Sequence, residues 1–206
     1  MPSYKDTIAS NSLPTSSRPI PKPYKQGDLD ALCGLYSIIN ACRIACRSPE
    51  INKRLDGWNL FSCLVGALEE RGKVSNVLLH GISIRDHNHL LKTAGRYLTR
   101  NHGLHLLIER PLGKIPKLTV NQVFAIARKH LHKPATTALL DFETEEWQHW
   151  SIITRIENRR VYLADSTKMG ARSFRDFEIM KDRYAELDSP IGIVKNGLIL
   201  LRVERV

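Results

Sequence analysis

The spacing of apolar residues divides the chain into a helical first part and a strand-rich second part. Leu35, Ile38, Ile39 and Cys42 recur three and four residues apart, so the sequence predicts an amphipathic helix over 32–46. The same periodicity predicts three further helices, over 58–70, 84–99 and 121–130. Residues suited to helix capping lie near the start of two of them: Asp56 or Asn59, and Thr119.

Strand signals follow the helices. Short apolar segments predict strands over 105–109, 137–142, 149–156 and 160–164. A last β-rich segment, 191–203, contains the turn dipeptide Asn196-Gly197, and this predicts a single hairpin there. Because helices precede strands instead of alternating with them, we expect an α+β fold with an antiparallel sheet.

Length and composition indicate one folded domain with an N-terminal leader. Five of the prolines and many Ser and Thr residues fall within 1–24, which predicts a flexible leader before a domain over 25–206. Apolar residues make up 42% of the chain, which excludes a wholly disordered protein. No apolar run reaches the roughly 18 residues of a membrane helix, and no signal-peptide pattern is present, so we expect a cytoplasmic protein.

Positive charge is concentrated in the middle of the chain. Residues 51–135 contain 14 basic and 5 acidic residues, within a net charge of +10 for the whole chain. Such a surface could bind nucleic acid or an acidic protein, or could simply be a solvated face. The few aromatic residues of this span lie mainly on apolar helical faces, so nucleic-acid binding is not expected.

Cys33 is the first candidate for chemistry. It begins the first predicted helix, where unpaired N–H groups and the helix dipole favour a negative charge. Gly34 follows, and a residue without a side chain would let a substrate backbone approach the sulfur. The alternative is a small, buried, unreactive cysteine. No CxxC pair occurs among the four cysteines, and we expect them to be reduced.

A histidine and an aspartate complete a possible thiol-activating set. His149 opens a predicted strand and could exchange a proton with the thiol near neutral pH. Asp165 ends the next strand, and a hairpin centred near residue 158 would place it roughly opposite His149. Gln26 could donate to a developing oxyanion together with the Cys33 amide. Taken singly, each could instead be an ordinary surface or turn residue.

Two other polar patterns carry less chemistry. His87-Asn88-His89 and His130-Leu131-His132 each contain two histidines, but no cysteine lies near either pair. A zinc site needs about four converging ligands, so no metal or other cofactor is expected. Four acidic residues lie shortly before His149: Asp141, Glu143, Glu145 and Glu146. Their negative charges could stabilise the protonated imidazole, or the residues could belong to a solvated loop.

Three sequence features together resemble those of papain-like cysteine peptidases. They are the Cys33-Gly34 step, the His149-Trp150 pair, and Asp165-Ser166 with the aspartate sixteen residues after the histidine. The resemblance is greatest to the soluble relatives of bacterial double-glycine (bacteriocin-processing) peptidase domains. It implies a papain-like fold with N-terminal helices packed on a C-terminal antiparallel sheet. It also assigns Cys33 as nucleophile, His149 as general base and acid, Asp165 as orienting residue and Gln26 as oxyanion donor.

The chain departs from that family in spacing. Gln26 lies seven residues before Cys33, where the family usually has six, and Leu32 replaces the usual aspartate. The segment between Cys33 and His149 is also longer than in the compact domains.

The resemblance implies hydrolysis of a peptide or isopeptide bond in a protein or peptide substrate, possibly acidic. The same triad would also serve transamidation, deamidation or acyl transfer, and a binding module without catalysis is the alternative of another class.

Overall fold

The computed structural model describes residues 21–25, 31–115, 117–164, 170–180 and 188–206. The α-helices in these ranges are Cys33–Cys46 (α1), Gly57–Glu69 (α2), Val74–His80 (α3), Ile84–His102 (α4) and Val120–Leu131 (α5). The strands are Leu104–Glu109 (β1), Thr136–Glu143 (β2), Gln148–Glu157 (β3), Arg160–Ala164 (β4), Ala171–Ser173 (β5), Phe177–Ile179 (β6) and Ile191–Arg205 (β7). This mixture of helices with a mainly antiparallel sheet confirms the α+β class.

The helices that the apolar periodicity predicts are present, and their caps explain where they begin. The Asp56 carboxylate accepts a hydrogen bond of 2.9 Å from the backbone N–H of Trp58 at the start of α2. Thr119 and Gln122 form a reciprocal capping box at the start of α5. Gly103 ends α4 in the left-handed conformation, as glycine commonly does after a helix.

The sheet separates two apolar layers. Its strand order is β1-β7-β2-β3-β4-β5, and β6 pairs in parallel with β7. The residues of α1, α2 and α4 form one layer with Leu139, Trp150 and Ile152 of the sheet. Those of α5 form the other layer, with Leu140, Phe142 and others. The first three predicted helices therefore cover one face of the sheet, and α5 covers the opposite face.

The predicted hairpin at the C-terminal end of the chain is wrong. Residues 191–205 form one strand, β7, and both parts of it pair with β2. The register shifts between Leu140 and Phe142 of β2, so Asn196-Gly197 lies in a bulge instead of a turn. A Cβ atom on Gly197 would lie 2.5 Å from the carbonyl oxygen of Asp141, so the glycine allows a close approach of two backbones.

Other parts of the fold have no counterpart in the sequence predictions. The short helix α3 and the three-residue strands β5 and β6 were not anticipated.

The end of the predicted flexible leader is also fixed to the domain. The backbone N–H of Tyr24 donates to Asn40 at 2.8 Å, the Asn40 amide donates back to the Tyr24 carbonyl, and Arg43 lies over the Tyr24 ring.

None of the helices in the described ranges has the length and apolar character needed to cross a membrane.

The bulge at Gly197 can be tested by substitution. Gly197→Ala should lower the free energy of unfolding by about 1–3 kcal/mol, because the new methyl group would overlap the Asp141 backbone. Gly66→Ala is the matched control: Gly66 lies inside α2 with no atom within 4 Å of the added Cβ. That control should stabilise the protein by about 0.5–1 kcal/mol. Urea unfolding of the two variants gives both values, and equal effects would contradict the bulge.

Candidate functional site

Cys33 is the first residue of α1, as the sequence predicts, and its side chain is buried. Leu32 occupies the N-cap position, and its apolar side chain makes no capping hydrogen bond. The amides of Leu35 and Tyr36 are bonded to the Leu32 carbonyl. The N–H groups of Cys33 and Gly34 precede them, at the position where a helix N-terminus stabilises an anion. The start of α1 therefore provides a polarised environment beside the thiol.

Gly34 has a packing role that the sequence did not indicate. A Cβ atom at this position would overlap Cγ2 of Ile82, and it would lie 3.3 Å from Cδ2 of His87. The missing side chain thus allows α1 to pack against the segment that leads into α4. The expectation that Gly34 leaves space for a substrate backbone is therefore replaced by contact with Ile82 and His87.

His149 is the second residue of β3 and is buried. It is directly opposite Phe142 of β2, and the two rings are 5.6 Å apart between centroids. Trp147 packs edge-on against the imidazole at 4.9 Å. Side chains of opposite residues share one face of a sheet, so His149 lies with Phe142 on the α5 side. Its neighbour Trp150 lies on the α1 side, in the same apolar layer as Cys33.

Cys33 therefore lies in the layer on the α1 side of the sheet, whereas the side chain of His149 lies on the α5 side. Their joint action in catalysis stays a prediction. Gln26 and Asp165, the other two residues of the predicted set, lie outside the described residues.

The hairpin that precedes Asp165 differs in register from the prediction. Asn158 and Arg159 form its turn, both with positive φ, and Ala164 pairs with Ile152. The predicted hairpin would have placed Ala164 opposite Trp150, two residues earlier in β3. The position of the turn causes this shift, and a bulge between Ile153 and Arg155 reduces it by one residue.

A second histidine, His87, contacts the start of α1. Its ring is stacked on Trp150, with centroids 3.8 Å apart and planes inclined by 9°. The side chain is fully buried, and neither ring nitrogen has a hydrogen-bond partner among the described residues. Burial, with a smaller effect of the Arg110 charge, lowers the pKa of His87 to about 3. His87 is therefore neutral at physiological pH.

His87 could have been found from the sequence. It precedes Leu90, Leu91 and Ala94 at the three- and four-residue spacing of the buried face of α4. The neighbouring His89 instead indicated a possible metal-binding pair. In the described ranges no group of three His, Cys, Asp or Glu side chains is arranged to hold a metal ion.

A polar cluster lies at the same end of the sheet. Asp141, at the end of β2, is wholly buried and accepts a hydrogen bond of 2.7 Å from the Gln148 side chain. Arg110 contacts the Asn88 side chain and donates to the Asn196 carbonyl at 3.4 Å. Burial lowers the pKa of Arg110, and the nearby Asp141 carboxylate opposes this effect.

This cluster divides the predicted acidic run into two environments. Asp141 is inside the protein, whereas Glu145 and Glu146 are exposed in the β2–β3 turn.

The other cysteines have surroundings unlike those of Cys33. Burial raises the pKa of Cys42 and brings that of Cys46 to about 12, so both remain protonated thiols. Cys63 is partly exposed, and burial raises its pKa more than Arg96 and Arg100 lower it. All four cysteines are free. Cys33 is thus the thiol with a helix N-terminus beside it.

Comparison with models of known protein families gave no match for this chain, and no curated protein sequence matched it significantly.

The buried His87 should make stability depend on pH. In the unfolded chain its pKa is 6.5, but in the folded protein it is about 3, so the unfolded state binds the proton first as pH falls. Stability contributed by neutral His87 is present above pH 6.5 and is lost as pH falls from 6.5 towards 3. Between about pH 7 and pH 5, wild type should lose about 2 kcal/mol more unfolding free energy than His87→Phe.

Urea unfolding at the two pH values measures this difference. The control is His80→Gln, since His80 is exposed on α3, and it should keep the wild-type pH dependence. A His87→Phe protein with the same pH dependence as wild type would show that folding does not lower the pKa of His87.

Proposed function

We propose that this protein is a thiol hydrolase that cleaves a peptide or isopeptide bond, with Cys33 as its nucleophile. The observation that carries the proposal is the position of Cys33 at the start of α1, a helix whose N-cap residue, Leu32, has no side-chain capping bond. A helix N-terminus stabilises a thiolate and also the oxyanion that forms when the thiolate attacks a carbonyl. Cys42, Cys46 and Cys63 have no such position in the described structure.

The proposed reaction has two steps. His149 takes the proton of the Cys33 thiol, and the sulfur attacks the carbonyl carbon and forms a C–S bond, while the Cys33 amide and Gln26 hold the oxyanion. The C–N bond then breaks, and the departing amine takes that proton from His149. Water next attacks the thioester and gives a proton to His149; the C–S bond breaks, His149 returns the proton to the Cys33 sulfur, and the carboxylic acid is released. Asp165 would keep the imidazole oriented.

His149 is a better candidate base than His87. A general base must carry a positive charge during the reaction, and this needs a pKa near the working pH. The burial of His87 and the charge of Arg110 both oppose its protonation. His149 is also buried, but it lies at the beginning of β3 and packs against Trp147, which is 36% exposed. Because its ring lies on the α5 side of the sheet, the proposed proton exchange requires the imidazole to reach the Cys33 thiol around the end of β3.

The same thioester could pass its acyl group to an amine instead of water. Transamidation, deamidation of glutamine and acyl transfer remain alternatives within this proposal. They differ from hydrolysis in their products: ammonia release or amine incorporation would occur without cleavage of the chain.

Cys33 should be the residue that reacts with an activity probe. A peptide carrying a thiol-reactive group should label Cys33 in wild type, and peptide mass spectrometry locates the label. Cys33→Ala should abolish both labelling and hydrolysis of a peptide library, with a nearly unchanged midpoint of thermal unfolding. Cys63→Ala is the control and should behave like wild type. A fully active Cys33→Ala protein would exclude the mechanism.

The two histidines should respond differently to substitution. His149→Ala should lower kcat by a factor of about 10² to 10⁴, since it removes the general base. His87→Phe should keep kcat near the wild-type value, because it preserves the stack on Trp150. Asp165→Ala should reduce kcat less than His149→Ala. Steady-state kinetics on the same substrate give the comparison, and the opposite order of the two histidine variants would assign the base to His87.

A further inference from the structure

A groove runs between helix α4 and strand β1 on the α1 side of the sheet. Its volume is about 350 Å³. Apolar side chains from both elements form its floor, together with Gly95: Leu91, Leu106 and Ile108. Gly95 is where the helix comes closest to the strand, since a Cβ atom there would be 3.6 Å from Cβ of Leu106. We call this feature the α4–β1 groove.

One side of the α4–β1 groove is a row of positive charges. Lys92, Arg96 and Arg100 are four residues apart, so they form a single stripe along α4. All three are exposed. The ion pairs of the described residues are Arg71–Asp86, Arg155–Glu157 and Arg202–Glu204, so none of the three stripe residues is neutralised there. The stripe therefore attracts negatively charged ligands.

The other side of the groove is the edge of the sheet. Among the described strands β1 pairs only with β7, so its second edge has backbone N–H and C=O groups without a strand partner. Leu107 and Ile108 are large apolar residues that remain 39% and 37% exposed. An open edge of this kind can accept an added strand, which main-chain hydrogen bonds hold in place.

The spacing of the charged residues along α4 is close to the spacing of alternate residues along a strand. Thr99 donates to the Leu104 carbonyl at 3.0 Å, and Arg110 contacts Asn88, so α4 and β1 run antiparallel along each other. Residues four apart on a helix are about 6 Å apart along its axis. Alternate residues of a strand, which share one face, are about 6.7 Å apart. A strand on β1 with acidic residues at alternate positions would therefore place one carboxylate near each stripe residue.

The groove also leads toward Cys33. At its far end Asn88 and Arg110 are in contact, and the adjacent His87 packs against Gly34, next to the thiol. A chain that lies along β1 from Leu104 to Glu109 would thus extend toward the start of α1.

We propose that the α4–β1 groove binds an extended acidic segment of a protein substrate, which adds to the sheet as a strand beside β1. The assignment of the bound chain as substrate rests on the proposed function, whereas the docking itself does not need Cys33. A single-stranded nucleic acid fits the groove less well. Its lining contains His105 but no Phe, Tyr or Trp ring on which successive bases could stack, and the open backbone groups of β1 match another peptide backbone.

Binding of a designed peptide tests the docking. The probe is a fluorescent peptide of about eight residues in which valine and glutamate alternate, long enough to cover β1. Full-length Cys33→Ala protein prevents turnover, and fluorescence anisotropy gives Kd. Binding should weaken several-fold between about 50 mM and 300 mM salt. Hydrogen exchange of the β1 amides should slow when the peptide is bound.

Two control peptides separate charge from strand pairing. In one, lysine replaces glutamate, and it should not bind. In the other, alternate backbone nitrogens carry a methyl group, which keeps the charge but prevents pairing with β1. This second peptide should bind at least about tenfold more weakly than the probe. Equal binding of the methylated peptide and the probe would overturn the added-strand geometry.

Charge reversal locates the site on the protein. The variant Lys92→Glu/Arg96→Glu/Arg100→Glu should weaken binding by about tenfold or more. Arg47→Glu/Lys53→Glu/Arg54→Glu has the same change in net charge on another exposed surface and should bind almost as well as the parent protein. If the first triple variant fails to fold, Arg100→Glu alone should weaken binding measurably. Equal effects of the two triple variants would overturn the site.

Other occupants give different results. Tighter binding of an oligothymidylate than of the probe, lost in the stripe variant, would assign the groove to nucleic acid. A dimer that the stripe variant abolishes in sedimentation would assign it to a second copy of the chain. If the peptide binds as expected but no probe labels wild-type Cys33, the docking stands and the proposed function fails.

Discussion

Burial of β2 on both faces determines the arrangement of the rest of the protein. This strand lies between β7 and β3, and its residues from Thr137 to Phe142 are all buried. A strand in this position needs a helical layer on each side, and α1 and α5 provide them. The Asp141 carboxylate is buried within this strand and accepts a hydrogen bond from Gln148, beside Arg110 and opposite the bulge of β7.

The sequence predicted those parts of the fold that depend on local patterns. Periodicity identified α1, α2, α4 and α5, because each buries one apolar face, and Asp56 and Thr119 marked two of the N-termini. Asn196-Gly197 misled because a bulge and a turn both favour this dipeptide. Only the pairing of both halves of β7 with β2 distinguishes them, and pairing is a long-range property. The same limit applies to the register of Ala164, which depends on a bulge in β3.

The candidate site was predictable to a similar extent. A cysteine at the start of a helix and a histidine at the start of a strand are local features, and Cys33 and His149 have these positions. The stack of His87 on Trp150 joins residues 63 positions apart, so no local pattern predicts it. Likewise, a side chain at position 34 would overlap Ile82, which follows nearly fifty residues later, so no local pattern shows why a glycine is needed there. The sequence indicated candidate residues for chemistry, and packing determined their neighbours.

The position of β7 has a consequence for the order in which the protein can form during synthesis. Strand β7 alone joins β1 and β6 to the β2–β5 part of the sheet, although it comes last in the chain. As the ribosome makes the protein, α1, α2 and α4 emerge long before the strand that completes the surface they cover. Strands β2 and β3 can cover part of these helices earlier, but β1 and the helix α4 that packs on it can join the sheet only after the last stretch of the chain has been made.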